Sequence, residues 1–238
     1  MPLAVRRTSL TLLLPALALV LAGCGGDDDE TGGDEPTVEE VLAEAKTNFD
    51  DAASVRIALA TESVPESGNG VLGATGVLTP APAFDGEVKV ILNSFTADVP
   101  IISVGGVVYA QLGLLGPGWN ELDPSEYGAP DPADFADPDA GISSLLTQLQ
   151  EPEEGEQTRE GDTILTTYTG ELPGEAVQGI IPSADDSVTY PTTVGIDDDG
   201  FATSVEITGP FFAGGDDVTY DLGFSDYDED VTVEAPAE

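Results

Sequence analysis

The sequence predicts an α+β domain dominated by antiparallel sheet, on three observations: a capped amphipathic helix at its start, period-two alternation of apolar residues through most of the chain beyond that helix, and only two short helical patterns between the strands. The helix comes first. Thr37-Val38-Glu39-Glu40 has the Ser/Thr-x-x-Glu form of a capping box, and Val38, Val41, Leu42, Ala45 and Phe49 then recur at helical spacing. These signals predict a helix over about 38–53 with one apolar face.

From residue 54 the period changes to two. Val55, Ile57 and Leu59 alternate with Arg56, Ala58 and Ala60, and Val88, Val90 and Leu92 alternate with Glu87, Lys89 and Ile91. Such runs are half-buried strands whose charged residues mark the solvent side. Further strands are expected at 71–79, 97–104, 106–112, 163–170, 188–196, 201–208, 217–224 and 230–234, many of them bounded by Gly, Pro or Asp. Ile142, Leu145, Leu146 and Leu149 share a face in 141–150, and Pro173 stands where a first-turn proline is tolerated, ahead of Ala176, Val177, Ile180 and Ile181. Residues 123–140, with Pro124, Pro130, Pro132, Pro138 and several aspartates, read as loop.

The first 24 residues have a separate logic. Arg6 and Arg7, an apolar run from Leu10 to Val20 and small residues before Cys24 are the three parts of an export signal. The apolar core is interrupted by Pro15 and falls well short of the roughly 20 residues a membrane-spanning helix needs. Leu21-Ala22-Gly23-Cys24 resembles a lipobox, in which the cysteine thiol receives diacylglycerol and cleavage occurs on its N-terminal side. The expected organisation is a lipoprotein signal peptide over 1–23, a lipidated acidic tether over 24–36 and one domain over 37–238. Two acyl chains at Cys24 suffice for stable anchoring, where one would be marginal.

Charge narrows the function classes. The chain has 46 acidic residues against six basic ones, a formal charge of −40, and losing the leader with Arg6 and Arg7 makes the remainder more acidic still. Binding nucleic acid by phosphate neutralisation is excluded on that balance. An anionic leaflet repels such a surface, so attachment to the membrane must come from the lipid at Cys24. Residues 25–36, rich in Gly, Asp and Glu, form a tether that reaches at most about 40 Å when extended.

Catalysis finds little purchase. The sequence holds no histidine, so it has no imidazole base, metal ligand or partner for a nucleophile, and its single cysteine is assigned to anchoring. Paired carboxylates could in principle serve a glycan-acting enzyme, but among 46 acids chance pairs carry no information. Asp197-Asp198-Asp199-Gly200 reads as a hairpin turn in preference to a calcium loop, because an EF-type loop needs a Glu where Thr208 stands. No cofactor and no metal are expected.

Several local runs, in this order, are similar to the LppX/LprAFG family of mycobacterial lipoproteins. They are Gly86-Glu87-Val88-Lys89-Val90, Gly105-Gly106-Val107-Val108-Tyr109-Ala110, Trp119 before the Asp- and Pro-rich run, and Pro138-Asp139-Ala140-Gly141-Ile142. Later come Ala176-Val177 before Ile181-Pro182, Asp198-Asp199-Gly200, and Phe224-Ser225-Asp226-Tyr227 leading to Val231-Thr232-Val233. The resemblance spans about 37–236. It implies one curved antiparallel sheet, a half-barrel, with helices on its concave face around an apolar cavity. It also implies a non-enzymatic carrier of acylated lipids or glycolipids at the outer face of an actinobacterial cell membrane, served by a membrane lipid exporter.

Residues placed to line such a cavity are Val55, Ile57, Leu59, Val88, Val90 and Leu92 from strands, with Leu145 and Leu149 from a helix. Periodicity alone favours a closed core made of the same residues, and the resemblance favours the cavity. The alternative function is then a non-catalytic envelope interaction module with a packed core and an acidic binding surface.

Overall fold

Strand pairing begins with the alternating runs. The computed structural model describes residues 36–62, 70–92, 95–113, 116–160, 163–212 and 216–237. The leader, Cys24 and all of the tether except Pro36 lie outside the described residues. Within them, eleven strands form one antiparallel sheet in the order β6-β5-β4-β3-β2-β1-β11-β10-β9-β8-β7. They are β1 (Val55–Ala60), β2 (Gly70–Thr79), β3 (Ala83–Leu92), β4 (Phe95–Val104), β5 (Val107–Ala110), β6 (Asn120–Leu122), β7 (Gln150–Glu160), β8 (Thr163–Pro173), β9 (Thr189–Asp197), β10 (Ala202–Gly209) and β11 (Val218–Ser225). The order is that of two meanders, β1–β6 and β7–β11, joined where the first strand pairs with the last. Ile57 lies opposite Phe224 and Leu59 opposite Leu222 at that seam.

Three α-helices among the described residues accompany the sheet: α1 (Val38–Asp51), α2 (Ser144–Gln148) and α3 (Gly174–Ile180). The capping box at α1 is complete. The Thr37 hydroxyl accepts from the Glu40 amide at 3.3 Å, and the Glu40 carboxylate accepts from the Thr37 amide at 2.8 Å. Thr37→Ala is therefore expected to cost about 1 kcal/mol, which a thermal melt would register as a fall of about 2–4 °C. The buried face of α1, Leu42, Ala45 and Phe49, joins the strand residues in one core, where the Phe49 ring meets Phe224 edge-on at 5.5 Å. Asp50 at its end accepts from Lys46 at 2.5 Å and from the Ser143 hydroxyl at 2.6 Å, so that one carboxylate ties α1 to the entrance of α2.

A second aromatic group lies farther along the sheet. Phe211 meets Tyr190 at a tilt at 5.0 Å and Tyr220 edge-on at 4.6 Å, and all three rings are effectively buried. The Tyr220 hydroxyl donates to the Val71 carbonyl at 2.5 Å, linking β11 to β2 across the seam, and burial pushes its pKa up so that it stays protonated.

Four elements depart from the sequence expectation. Residues 230–234 join no strand: the segment leaves β11 through Asp228 and Glu229, which bond the Ser54 backbone and side chain, and β1 is already paired on both sides. Strand β7 was not predicted, because its sequence Gln150–Glu160 has no apolar alternation. Strand β6 has three residues, too few for a period to show. Pro173 ends β8 and serves as the N-cap of α3, one position ahead of the first turn.

Candidate functional site

Rows of side chains set by strand register define the site. Leu59 lies opposite Ala74, Ala74 opposite Val88, and Val88 opposite Val99, which makes one line across β1, β2, β3 and β4. All four face a cavity of about 300 Å³ whose lining is mainly apolar. One register step away, Ile57, Gly76, Gly86 and Ile101 form a parallel row. Glycine is required at its centre because the Phe84 ring lies there: a Cβ on Gly76 would stand 2.4 Å from that ring. Ile57, Ile101 and Phe84 complete this part of the lining.

The opposite wall comes from outside the sheet. The proline-rich run forms two 3-10 helices, Pro124–Tyr127 and Pro132–Ala136, separated by Gly128 in the left-handed region at φ 69°. Asp123 caps the first by accepting from the Ser125 amide at 3.0 Å, and Asp131 caps the second by accepting from the Ala133 amide at 2.9 Å. Asp131 also accepts from the hydroxyl of fully buried Ser103 on β4, at 2.5 Å, which pins this wall to the sheet. Tyr127, Pro130, Pro132 and Phe135 line the cavity from this side. The Asp134 carboxyl is pushed above the usual range by burial first and then by the neighbouring carboxylates of Asp131 and Asp137. The end of α3 and the turn after it, residues 180–183, close the remaining side.

Of the eight residues named from the sequence, Ile57, Leu59, Val88 and Val90 are brought together in this lining. Val55 belongs to a separate cavity of about 20 Å³ beside Phe49 and Leu78. Leu145 and Leu149 are buried in the core and do not line the cavity, with Leu149 seated over Gly170. Leu92 ends β3, and its side chain lies outside the described residues. Periodicity could have found Val99 and Ile101, which lie in a strand it predicts. The helical pattern after Pro173 includes Ile180 and Ile181, but periodicity carried no signal for Pro124–Phe135 or for Pro182 and Ser183, whose places depend on turns.

The acidic run at the β9–β10 turn has a structural role. The Asp197 carboxylate accepts from the amides of Asp199 and Phe201, at 3.1 and 2.8 Å, and Gly200 takes φ 84°. Asn48 of α1 donates to the Gly200 carbonyl at 2.9 Å, which fastens the helix to this turn. Among the described residues no group of acidic or cysteine side chains is arranged to hold a metal ion, and no helix is long and apolar enough to cross a membrane.

One large antiparallel sheet, few helices and an apolar cavity over four of its strands define the class of protein. Residues 37–233 match the LppX_LprAFG lipoprotein family, and the chain belongs to that family. The lipoarabinomannan carrier protein LprG of Mycobacterium tuberculosis is 27% identical over 198 residues, covering 82% of this chain and 81% of the relative. LprG of Mycolicibacterium hassiacum is 27% identical over 246 residues, covering 97% and 99%. The crystal structure of LprF from Mycobacterium bovis superimposes with a TM-score of 0.69 at 17% identity, covering 86% of this chain and 99% of that one. LppX of M. tuberculosis gives 0.59 at 19% identity, with 84% and 100% covered. These two structures share the fold.

Proposed function

We propose that this lipoprotein binds acylated lipids or glycolipids in the cavity over β1–β4 and carries them across the cell envelope, without a chemical step. The observation that carries the reading is the register-aligned row Leu59, Ala74, Val88 and Val99 facing an apolar space of about 300 Å³. A closed core would fill such a space, since interiors pack to near-crystalline density. The volume lies at the lower end of the range of about 300–1,000 Å³ for ligand sites, which suits an acyl portion with the headgroup outside. The relatives named as lipoarabinomannan carriers add glycolipids to the candidate cargo. The finer architecture we attach to this reading is a half-barrel whose concave face holds the helices and the cargo.

Attachment through Cys24 at the outer face of the cell membrane belongs to the same proposal, and a membrane lipid exporter is its natural supplier of cargo. Each buried methylene is worth about 0.8 kcal/mol, so release requires the cavity to open or to meet a membrane. The test is native mass spectrometry and solvent extraction of the protein from a lipid-rich host. Co-purifying lipid and a melting temperature raised by added lipid are expected, and the absence of both would overturn the carrier reading. Cys24→Ala is expected to release a soluble domain that still binds lipid. Retention of that variant in the membrane fraction would show that the anchor lies elsewhere.

A further inference from the structure

Burial along the cavity face of β4 falls toward one end. Ile101 and Val99 are buried in the lining, Ala97 is half-buried against the core, and Phe95, two residues farther along the same face, is 80% exposed. The paired strand β3 changes in the same direction, from buried Phe84 to half-buried Val88 and Val90, and Val90 lies opposite Ala97. The cavity face therefore reaches solvent at the end of the β3–β4 pair where Phe95 stands. Tyr127 lines the cavity from the proline-rich wall and is 51% exposed, so it too stands where the lining meets water. Single exposed apolar residues are ordinary on a protein surface. Here the exposed large hydrophobics among the described residues are these two, and both border the lining.

Charge singles out the same side of the molecule. Residues 67–120, which supply β2–β5, hold three of the chain's 46 acidic residues, Asp85, Glu87 and Asp98, together with Lys89. All four alternate with the residues of the cavity face and so belong to the opposite face of the sheet, where Lys89 pairs with Asp98 at 3.6 Å. A strongly acidic domain held near a bilayer approaches it at least electrostatic cost with its acid-poor side foremost.

We propose that this end of the β3–β4 pair is a membrane-docking surface: Phe95 and Tyr127 enter the headgroup region of a bilayer and set the cavity mouth against it. The inference deepens the carrier reading by naming the surface through which the cavity meets a membrane. A Phe ring and the amphipathic ring of a Tyr both suit that depth. Glu126 beside Tyr127 and Glu62 beyond β1 are exposed at the margin, so entry is shallow and a zwitterionic surface is favoured over an anionic one.

The test uses the full chain reconstituted in phosphatidylcholine vesicles, with and without lipids brominated high on their acyl chains. A Trp reporter replaces either Phe95 or, at the opposite end of β3, exposed Ala81, and wild type supplies the Trp119 background. Phe95→Trp is expected to shift its emission to the blue and to be quenched by the brominated lipid, and Ala81→Trp to show neither. Both Phe95 effects should weaken in vesicles rich in phosphatidylserine and return with added salt. Phe95→Ser, which alters no cavity-lining residue, should slow delivery of a bound fluorescent lipid to vesicles by about tenfold at unchanged occupancy. No quenching at position 95, equal quenching at 95 and 81, or unchanged delivery by Phe95→Ser would each overturn the docking surface and leave the carrier reading standing. A wild-type dimer that Phe95→Ser disperses, seen by sedimentation, would assign the surface to a second copy of the chain and overturn it as well. Selective quenching at 95 in a protein that never takes up lipid would support docking and remove the carrier reading instead.

Discussion

Val88→Trp is expected to expel lipid from the cavity while leaving the fold standing. Val88 is half-buried at the middle of the Leu59–Val99 row, with Ala74 and Val99 as its cross-strand partners and the cavity before it. In a filled core an added ring of this size forces neighbours off their rotamers at a cost of about 1–3 kcal/mol. Here the ring has a space of about 300 Å³ to enter, so the stability change should fall below that range. What the ring takes is room for acyl methylenes. Displacing two of them forfeits about 1.6 kcal/mol, and lipid affinity should fall by about tenfold or more. Native mass spectrometry of lipid occupancy beside a melting curve separates the outcomes. A large loss of stability with lipid retention would show that Val88 packs a core and that lipid binds elsewhere.

The opposite pattern is expected of Gly86→Ala. A Cβ at Gly86 would stand 2.1 Å from the Thr75 carbonyl oxygen, 2.6 Å from the Gly76 Cα and 2.7 Å from the Phe84 ring. Two of these neighbours are backbone in the paired strand β2, so relief requires the strands to part or the ring to leave. We expect a loss of about 3 kcal/mol or more, seen as a fall in melting temperature of about 6–12 °C, with lipid binding lost only as the fold is lost. Gly223→Ala is the control. Its added methyl would meet only Ala58 atoms at 3.9 and 4.0 Å, an ordinary contact, and its stability should change by less than about 1 kcal/mol. Similar losses in both variants would mean that the crowding of Phe84 over Gly76 and Gly86 does not organise this part of the sheet.

The two substitutions also mark what could be read from the sequence. Val88 and Val90 alternate with charged neighbours, so the face they share and their place in a half-buried strand come from spacing alone. Alternation cannot tell a residue that faces a void from one that faces another side chain. Val55 and Ile57, two positions apart on β1, show the difference: Ile57 lines the main cavity and Val55 the small one near Phe49. Gly86 gave no sign of its role, because the constraint comes from a phenylalanine two residues away and a glycine on the next strand. The wall from Pro124 to Phe135 read as loop, since 3-10 turns capped by Asp123 and Asp131 have no hydrophobic period. Pro182 and Ser183 were equally silent, as their positions depend on where α3 ends.

Strand β7 was illegible for a different reason. Both of its faces meet solvent, so selection for burial leaves no mark on it: all of its described residues except half-buried Pro152 are exposed. It stands at one end of the sheet, eleven residues long, while the other end is β6 with three. A long outer strand is a template on which a second molecule can extend the sheet and start a fibril. Glu151, Glu153, Glu154 and Glu156, with Pro152 and two breaks in register, oppose that step, because an identical strand would bring like charge against like. Part of this protein's acidity thus serves colloidal behaviour: many copies crowded together can remain separate molecules.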